Sequence, residues 1–405
     1  MRLQTSLRER DAAQTWALAS PLMPCLGISR VTDITALDRL GLPVHASVRP
    51  RGQLLSVHAG KGLRAVESRT GALMEAVEFA LAEADSLREP DARATLADLQ
   101  AAWPGRLAPI RFAPRVDATL EATEVWPAVA CEWLEWGEAT LQGVRLPDEL
   151  VRLPGSRRQG PSAFPWSTNG LASGNTVDEA TLHGLFELLE RDSLALNHAR
   201  DASRLLDELP EPFAAMRGQW ARDGVELIVR EIPNEFGLAC FSALLHEEAS
   251  VDVNLSRGSG LHLDRSIALA RAISEAAQAR LSTLHGGRDD IVNFYAKYAL
   301  GVSASRLAGE ARLLERWRDR SRTVEFEAVP HSPITEVTTA LSELRARMAR
   351  AGLSVIVRHR LPWPDAIRGP VPLQVVKLAV PGCEVLEARN RRVGARLLAR
   401  LLAHG

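Results

Sequence analysis

Short apolar runs of strand length are interleaved along this chain with long segments of helical period, and no strict strand–helix–strand repeat governs the alternation. VHASVRP (44–50) and LLSVHAG (54–60) read as extended, and ESRTGALMEAVEFALAEADSL (67–87) reads as a helix. The middle of the chain is rich in Trp and Pro, with Trp126, Trp133, Trp136 and a polar loop, RLPGSRRQGPSAFPWSTNG (152–170). A second helical pattern runs from Asp178 to Arg200, followed by the strand-length segments GVELIVREI, LACFSALLHE and SVDVNL. Further helices are predicted from about Asp264 to Leu284, Ser305 to Arg318 and Thr335 to Ala351. SVIVRHRL and LQVVKLAVPG read as late strands, and NRRVGARLLARLLAHG as a terminal amphipathic helix. This mixture predicts an α/β or α+β fold with more than one layer.

The sequence of 405 residues has ample length for a substantial core, as one large domain or two to three subdomains. Its formal net charge of −1 supplies no global basic field, which argues against a nucleic-acid or anionic-membrane partner. MRLQTSLRERDAAQ at the start lacks the apolar stretch of a secretory signal, and no apolar run approaches a membrane span. Cys25, Cys131, Cys240 and Cys383 form no CxxC pair and have no His at zinc-ligand spacing, so they read as reduced core residues. The expected setting is the cytoplasm.

Glutamates recur on the helical segments. Glu75 and Glu78, one turn apart, share a face. Glu179, Glu187 and Glu190 fall within an arc of roughly 80° at 100° per residue, opposed by Leu182, Leu185, Phe186 and Leu189. Arg191 and Asp192 follow directly. STNGLASGNT (167–176), with Gly170 and Gly174, reads as a turn opening onto a helix N-terminus, an arrangement suited to phosphate, and no Walker A pattern is present. Arg271, Glu275 and Gln278 make one polar stripe on a later helix, with Arg280, Arg288, Asp289 and Asp290 beyond. Alone, the Glu75/Glu78 pair and the later stripe each read as a solvated helix face, and the Gly-containing turn as structural. Clustered carboxylates repel unless a divalent cation intervenes, and magnesium binds through a few carboxylates plus nucleotide phosphates. Periodicity does not establish that the three helices converge.

The segment from Gly27 to Glu83, GISRVTDITALDRLGLPVHASVRPRGQLLSVHAGKGLRAVESRTGALMEAVEFALAE, resembles the N-terminal signature of YcaO proteins. STNGLASGNTVDEATLHGLFELLERD resembles that family's central motif, and ARAISEAAQARLSTLHGGRDD its later one. The resemblance is close over residues 25–90 and 160–292 and looser elsewhere. It implies a single domain over 1–405, with an N-terminal motif region at 25–102, a central ATP and magnesium region at 160–292 and a C-terminal α/β region at 293–405. The implied fold is a mixed α/β protein of YcaO type, its sheets flanked by helices, with an ATP site that lacks a Walker loop.

Carried over by motif, the metal ligands are Glu75, Glu78, Glu179, Glu187, Glu190 and Glu275, with Mg2+ as the ion. The ATP-binding set is Arg30, Lys61, Asn175, Glu179, Arg191 and Gln278. His183, one turn before Glu187, is either a catalytic group or a structural histidine, and the sequence names no general base. Gly71 stands where the family often carries a small hydroxyl residue, and the chain ends in LLARLLAHG rather than a PxPxP tail. The resemblance therefore implies ATP-dependent O-phosphorylation of a backbone amide in ribosomally made peptides, nearest to members that act with a TfuA-type partner and form thioamides. An azoline-forming cyclodehydratase is the rival, and a non-catalytic accessory role is a third reading. Expected partners are a substrate peptide, a TfuA-like or leader-binding protein and a second copy of the chain in a homodimer.

Overall fold

The computed structural model describes residues 5–154, 162–249, 255–288, 304–367, 369–386 and 391–403. Its helices are α1 (Ala12–Ala19), α2 (Ala65–Ser86), α3 (Leu96–Ala102), α4 (Val177–Ala199), α5 (Phe213–Arg222), α6 (Arg265–His285), α7 (Ala304–Arg318), α8 (Val337–Arg350) and α9 (Ala395–Leu402). Its strands are β1 (Arg30–Asp33), β2 (Val44–Val48), β3 (Val57–Lys61), β4 (Ala92–Thr95), β5 (Val125–Glu135), β6 (Leu141–Pro147) and β7 (Leu171–Gly174). The later strands are β8 (Arg204–Leu206), β9 (Glu226–Glu231), β10 (Ala239–His246), β11 (Leu255–His262), β12 (Thr323–Val324), β13 (Val355–Arg360) and β14 (Gln374–Ala379). The chain divides into two compact units, Met1–Val77 with Ala202–Ile334 and Glu78–Asp201 with Thr335–Gly405.

The first unit contains an antiparallel sheet in the order β1-β2-β3 and a larger one in the order β11-β10-β9-β8-β12, where β12 runs parallel to β8. Alternation along β10 sends Phe241, Ala243 and Leu245 into a core with Phe213, Trp220, Leu227 and Val229. The Ala-rich face of α6 closes that core with Ala268, Ala272, Ile273 and Ala276. Its approach to β11 depends on glycine: a Cβ at Gly258 would overlap the backbone at Ala276, and one at Gly260 would overlap the backbone at Ala268. Gly60 of β3 meets α2 in the same way, against the backbone of Ser68 and Ala72. The N-cap of α6 is Asp264, whose carboxylate accepts the Ser266 N–H, and Gly286 ends the helix at φ 64°. Arg280, on the predicted polar side, is 2% exposed and pairs with Asp38 at 2.8 Å and Glu247 at 2.6 Å, so its charge is structural.

In the second unit the strand order is β4-β5-β13-β14-β7, with β6 added to β5. Helix α4 packs on β7 and β14, and α8 packs on α4. The Trp-rich middle, to which the sequence reading gave no strand, is β5. Its residues are buried almost continuously, so Trp126 and Trp133 join Phe164 and Leu146 in the core without a period-two signal. The Gly-containing segment before α4 likewise includes a strand, β7, and Thr176, two residues beyond its end, caps α4 by accepting the Glu179 N–H at 3.1 Å.

The four cysteines are free; Cys131, Cys240 and Cys383 are buried, but Cys25 is exposed and is no core residue. Among the described residues no helix is long and apolar enough to cross a membrane. Residues 250–254 of the predicted SVDVNL strand, 155–161 of the polar loop, and Asp289 with Asp290 lie outside the described residues.

Two expectations follow from these contacts. Gly60→Ala places a methyl group against helix backbone that cannot step aside, and should lower unfolding free energy by about 1–3 kcal/mol in urea titration. His262, buried on β11, accepts the Asp264 N–H through Nδ1 at 2.9 Å, which only the neutral ring can do. Burial, and then the positive Arg271, holds its pKa down from 6.5 to about 3. A depressed histidine stabilises the fold fully above pH 6.5 and loses that contribution as pH falls toward 3. The expected loss is up to about 1.4 kcal/mol per pH unit in that window, and His262→Gln should flatten it in thermal melts.

Candidate functional site

In the first unit the predicted residues gather around one strand. Ala59 and Lys61 share a face of β3. The Ala59 N–H donates to Glu75 Oε2 at 3.3 Å, and its carbonyl accepts from Gln278 Nε2. The Lys61 ammonium pairs with Glu275. Arg271, Glu275 and Gln278 are all half-buried, while Ala272, Ile273, Ser274, Ala276 and Ala277 are buried, so the expected stripe exists on α6. Glu75 is also half-buried rather than solvated, because Leu73, Met74 and Val77 around it face the interior, and Glu78, where the second unit begins, is half-buried too. Arg30 begins β1, the strand of this sheet not adjoining β3, and is exposed.

In the second unit the group is built on the first turns of α4. Asn175, 7% exposed, donates from Nδ2 to both oxygens of Glu179, at 3.2 and 3.1 Å. Thr176 holds the backbone of the same residue, so the Glu179 carboxylate is fixed from two directions. Two turns on, Glu187 has its pKa raised by burial, with Glu190 adding repulsion; Arg191, Lys377 and the Gly170 N–H act in the opposite sense. Glu190 is buried and Arg191 exposed. His183 is half-buried on the same helix. Asp192, next in sequence, is instead structural, receiving the Glu384 N–H at 2.7 Å and Arg396 at 2.6 Å.

The donors present suit magnesium. They are oxygens without sulfur or imidazole, and Glu187 is a carboxylate whose charged form burial and Glu190 disfavour, a cost that a divalent cation relieves. Among the described residues no group of three or more His, Cys, Asp or Glu side chains could hold a metal ion unaided. Magnesium completes its octahedron with phosphate oxygens and water, so a protein cage is not needed.

Sequence reasoning passed over Lys377. It lies on β14, 5% exposed, and donates to the carbonyls of Ser167, at 2.8 Å, and Asn169. A lysine in the apolar run VVKLA was the available signal. Asn169, two residues before β7, was likewise read as part of a loop.

The YcaO family model, described as YcaO cyclodehydratase, ATP- and Mg2+-binding, matches residues 59–384. A protein encoded in the tfuA 3′ region of Rhizobium leguminosarum bv. trifolii is 33% identical over 398 residues, 92% of this chain and 87% of that protein. A protein of Methanothermobacter thermautotrophicus is 30% identical over 387 residues, 92% of this chain and 94% of that one. Among solved structures, YcaO from Methanopyrus kandleri bound with AMPPCP and Mg2+ has a TM-score of 0.70 at 24% identity, covering 96% of each chain. A heterocyclase in complex with substrate and cofactor has a TM-score of 0.76 at 22% identity, over 96% of this chain but 54% of its own. At those identities the two structures establish a common fold. With the family model matched over most of its length and a relative at 33% identity over nearly all of it, the chain belongs to the YcaO family of ATP- and Mg2+-dependent modifying enzymes.

Proposed function

We propose that this enzyme uses magnesium-ATP to activate a backbone amide of a ribosomally made peptide, and that its product is a thioamide. The observation that carries the thioamide reading is the 33% identical relative encoded beside tfuA. The same observation supports a TfuA-type protein as partner. In balanced form, hydrosulfide adds to the carbonyl carbon and the resulting oxyanion takes the γ-phosphoryl group of ATP, releasing ADP. The C–O bond then breaks and expels phosphate, the S–H proton is lost, and C=S remains. An amide oxygen is a very poor leaving group, which is why phosphorylation is needed.

The chain's own contribution is positioning. In the first unit, Glu75 and Glu275 are proposed as oxygen ligands, Lys61 as a phosphate partner and Gln278 as a nucleotide contact, arranged by the peptide groups of β3. In the second, Glu78, Glu179, Glu187 and Glu190 are proposed as metal ligands, with Asn175 orienting Glu179 and Arg191 available to phosphate. Arg30, exposed on β1, completes the proposed phosphate contacts. Bound magnesium would shield phosphate charge during transfer. Lys61 pairs with Glu275, and the proposed nucleotide binding would exchange that partly exposed ion pair for phosphate contacts at modest cost. His183 is retained as the proton-transfer candidate on α4. The protein is further proposed to act as a cytoplasmic homodimer, in which residues 1–405 work as one functional domain.

A second reading, azoline formation by attack of a neighbouring Cys, Ser or Thr side chain, is favoured by the cyclodehydratase description of the family model. Mass spectrometry of peptide incubated with the enzyme, a TfuA-type partner, magnesium-ATP and sulfide separates the two. Replacement of oxygen by sulfur supports the thioamide, whereas loss of water without sulfide establishes the azoline. Nucleotide binding without turnover would leave only an accessory role. Glu187→Gln and Glu190→Gln should each lower magnesium-dependent ATP turnover roughly 10–100-fold or more with unchanged circular dichroism. Normal calorimetric affinity for an ATP analogue and normal turnover in both variants would remove these carboxylates from the metal site.

A further inference from the structure

Just ahead of β7, the chain passes between β14 and α4 at Gly170. A Cβ there would lie 2.7 Å from the Leu378 carbonyl oxygen and 3.1 Å from the Leu188 side chain, and the backbone φ of 82° independently favours glycine. One turn earlier on α4, a Cβ at Gly184 would lie 3.3 Å from the Gly170 carbonyl oxygen. Glu187 stands between these two contacts on α4, one turn after Gly184 and next to Leu188.

Strand β14 grips this stretch of chain from the other side. The buried Lys377 ammonium donates to the carbonyls of Ser167, at 2.8 Å, and Asn169, and the Leu378 N–H donates to the Gly170 carbonyl at 2.9 Å. Toward α4, the Gly170 N–H donates to the Glu187 carboxylate. The Asn169 carbonyl and the Gly170 N–H belong to a single peptide group. An ammonium therefore sits at the oxygen end of that peptide and a carboxylate at its hydrogen end, each where the peptide dipole attracts it. Polarisation of the peptide by the cation strengthens its N–H as a donor, and the ammonium also acts on the carboxylate through its field. Arg191 bears on Glu187 as well, but it is exposed. Lys377 is 5% exposed and tied to backbone carbonyls, so its charge keeps its place when phosphate arrives.

We propose that Lys377 is a positioning residue for magnesium-ATP, one that fixes the Glu187 carboxylate as a metal ligand through the peptide group between Asn169 and Gly170. This role rests on the reading of Glu187 as a ligand, and a double-mutant cycle separates the two. In calorimetric titrations of the full chain with AMPPCP at varied Mg2+, Lys377→Met should weaken magnesium-dependent binding about ten-fold or more. Lys377→Arg should restore it, since a guanidinium has donors for both carbonyls and the adjoining cavity of about 40 Å³ has room for the larger head. Because Lys377 acts through Glu187, the double variant Lys377→Met, Glu187→Gln should bind within about two-fold of Glu187→Gln alone. If circular dichroism shows Lys377→Met unfolded, Lys377→Gln, which keeps N–H donors without the charge, carries the same cycle. Losses that multiply in the double variant would overturn the proposal and leave Lys377 as a support of the backbone alone. Normal binding in the Lys377 variant beside a weakened Glu187→Gln would do the same. Unchanged magnesium dependence in Glu187→Gln itself would instead remove the ligand reading, and this role of Lys377 with it.

Discussion

Where a helix lies flat on a strand, the separation of their backbones is set by whatever must fit between them. At Gly60, Gly258 and Gly260 that is a hydrogen atom. The approach of α2 to β3 and of α6 to β11 brings carboxylate-bearing helices within hydrogen-bond reach of strand peptide groups. Glu75 and Gln278 can then be held by one residue, Ala59, and Lys61 can meet Glu275. A larger side chain at any of these glycines would lift the helix and move its polar stripe with it. Gly174 plays the same part for α4, since a Cβ there would overlap the backbone at Ala180, next to Glu179.

The charged groups sort by how completely they are matched. Arg280 and Asp192 are nearly inaccessible and satisfied in fixed geometry, the first by Asp38 and Glu247, the second by Arg396 and the Glu384 N–H. Such sets specify packing. Glu187 differs: burial and Glu190 push its pKa up, while the groups opposing them leave the balance unfavourable to its charge. Lys61 and Glu275 differ again, being partly open to solvent at 21% and 29% of their side-chain surface. Imperfect compensation of this kind is what the proposed exchange of protein partners for phosphate and metal requires.

Much of the architecture was legible because α2, α4 and α6 are long stretches of helix-forming residues without Pro, and β9, β10, β13 and β14 are compact apolar runs between turns. The strand β5 was not, since its residues are buried on both faces and Pro127 interrupts the run. The same limit hid β7, whose small residues Ala172, Ser173 and Gly174 carry no strand propensity worth reading. The half-buried stripe on α6 followed from spacing, but the roles of Arg280 and Asp192 did not. Both look like extensions of a polar face until tertiary partners from Asp38, Glu247 and Arg396 are seen. Asn169 and Lys377 lie 208 residues apart, and only the pairing of β14 with β7 brings them together.

The contacts at Ala59 run through its N–H and carbonyl, with the methyl group uninvolved. Exchange of that side chain for another small one leaves both contacts intact, so neither an alanine scan nor a tally of variable positions would mark residue 59 as the holder of Glu75 and Gln278. Its contribution is carried by the peptide bond itself, and replacing that amide with an ester, which removes the hydrogen donated to Glu75, is the chemical change to which it is sensitive.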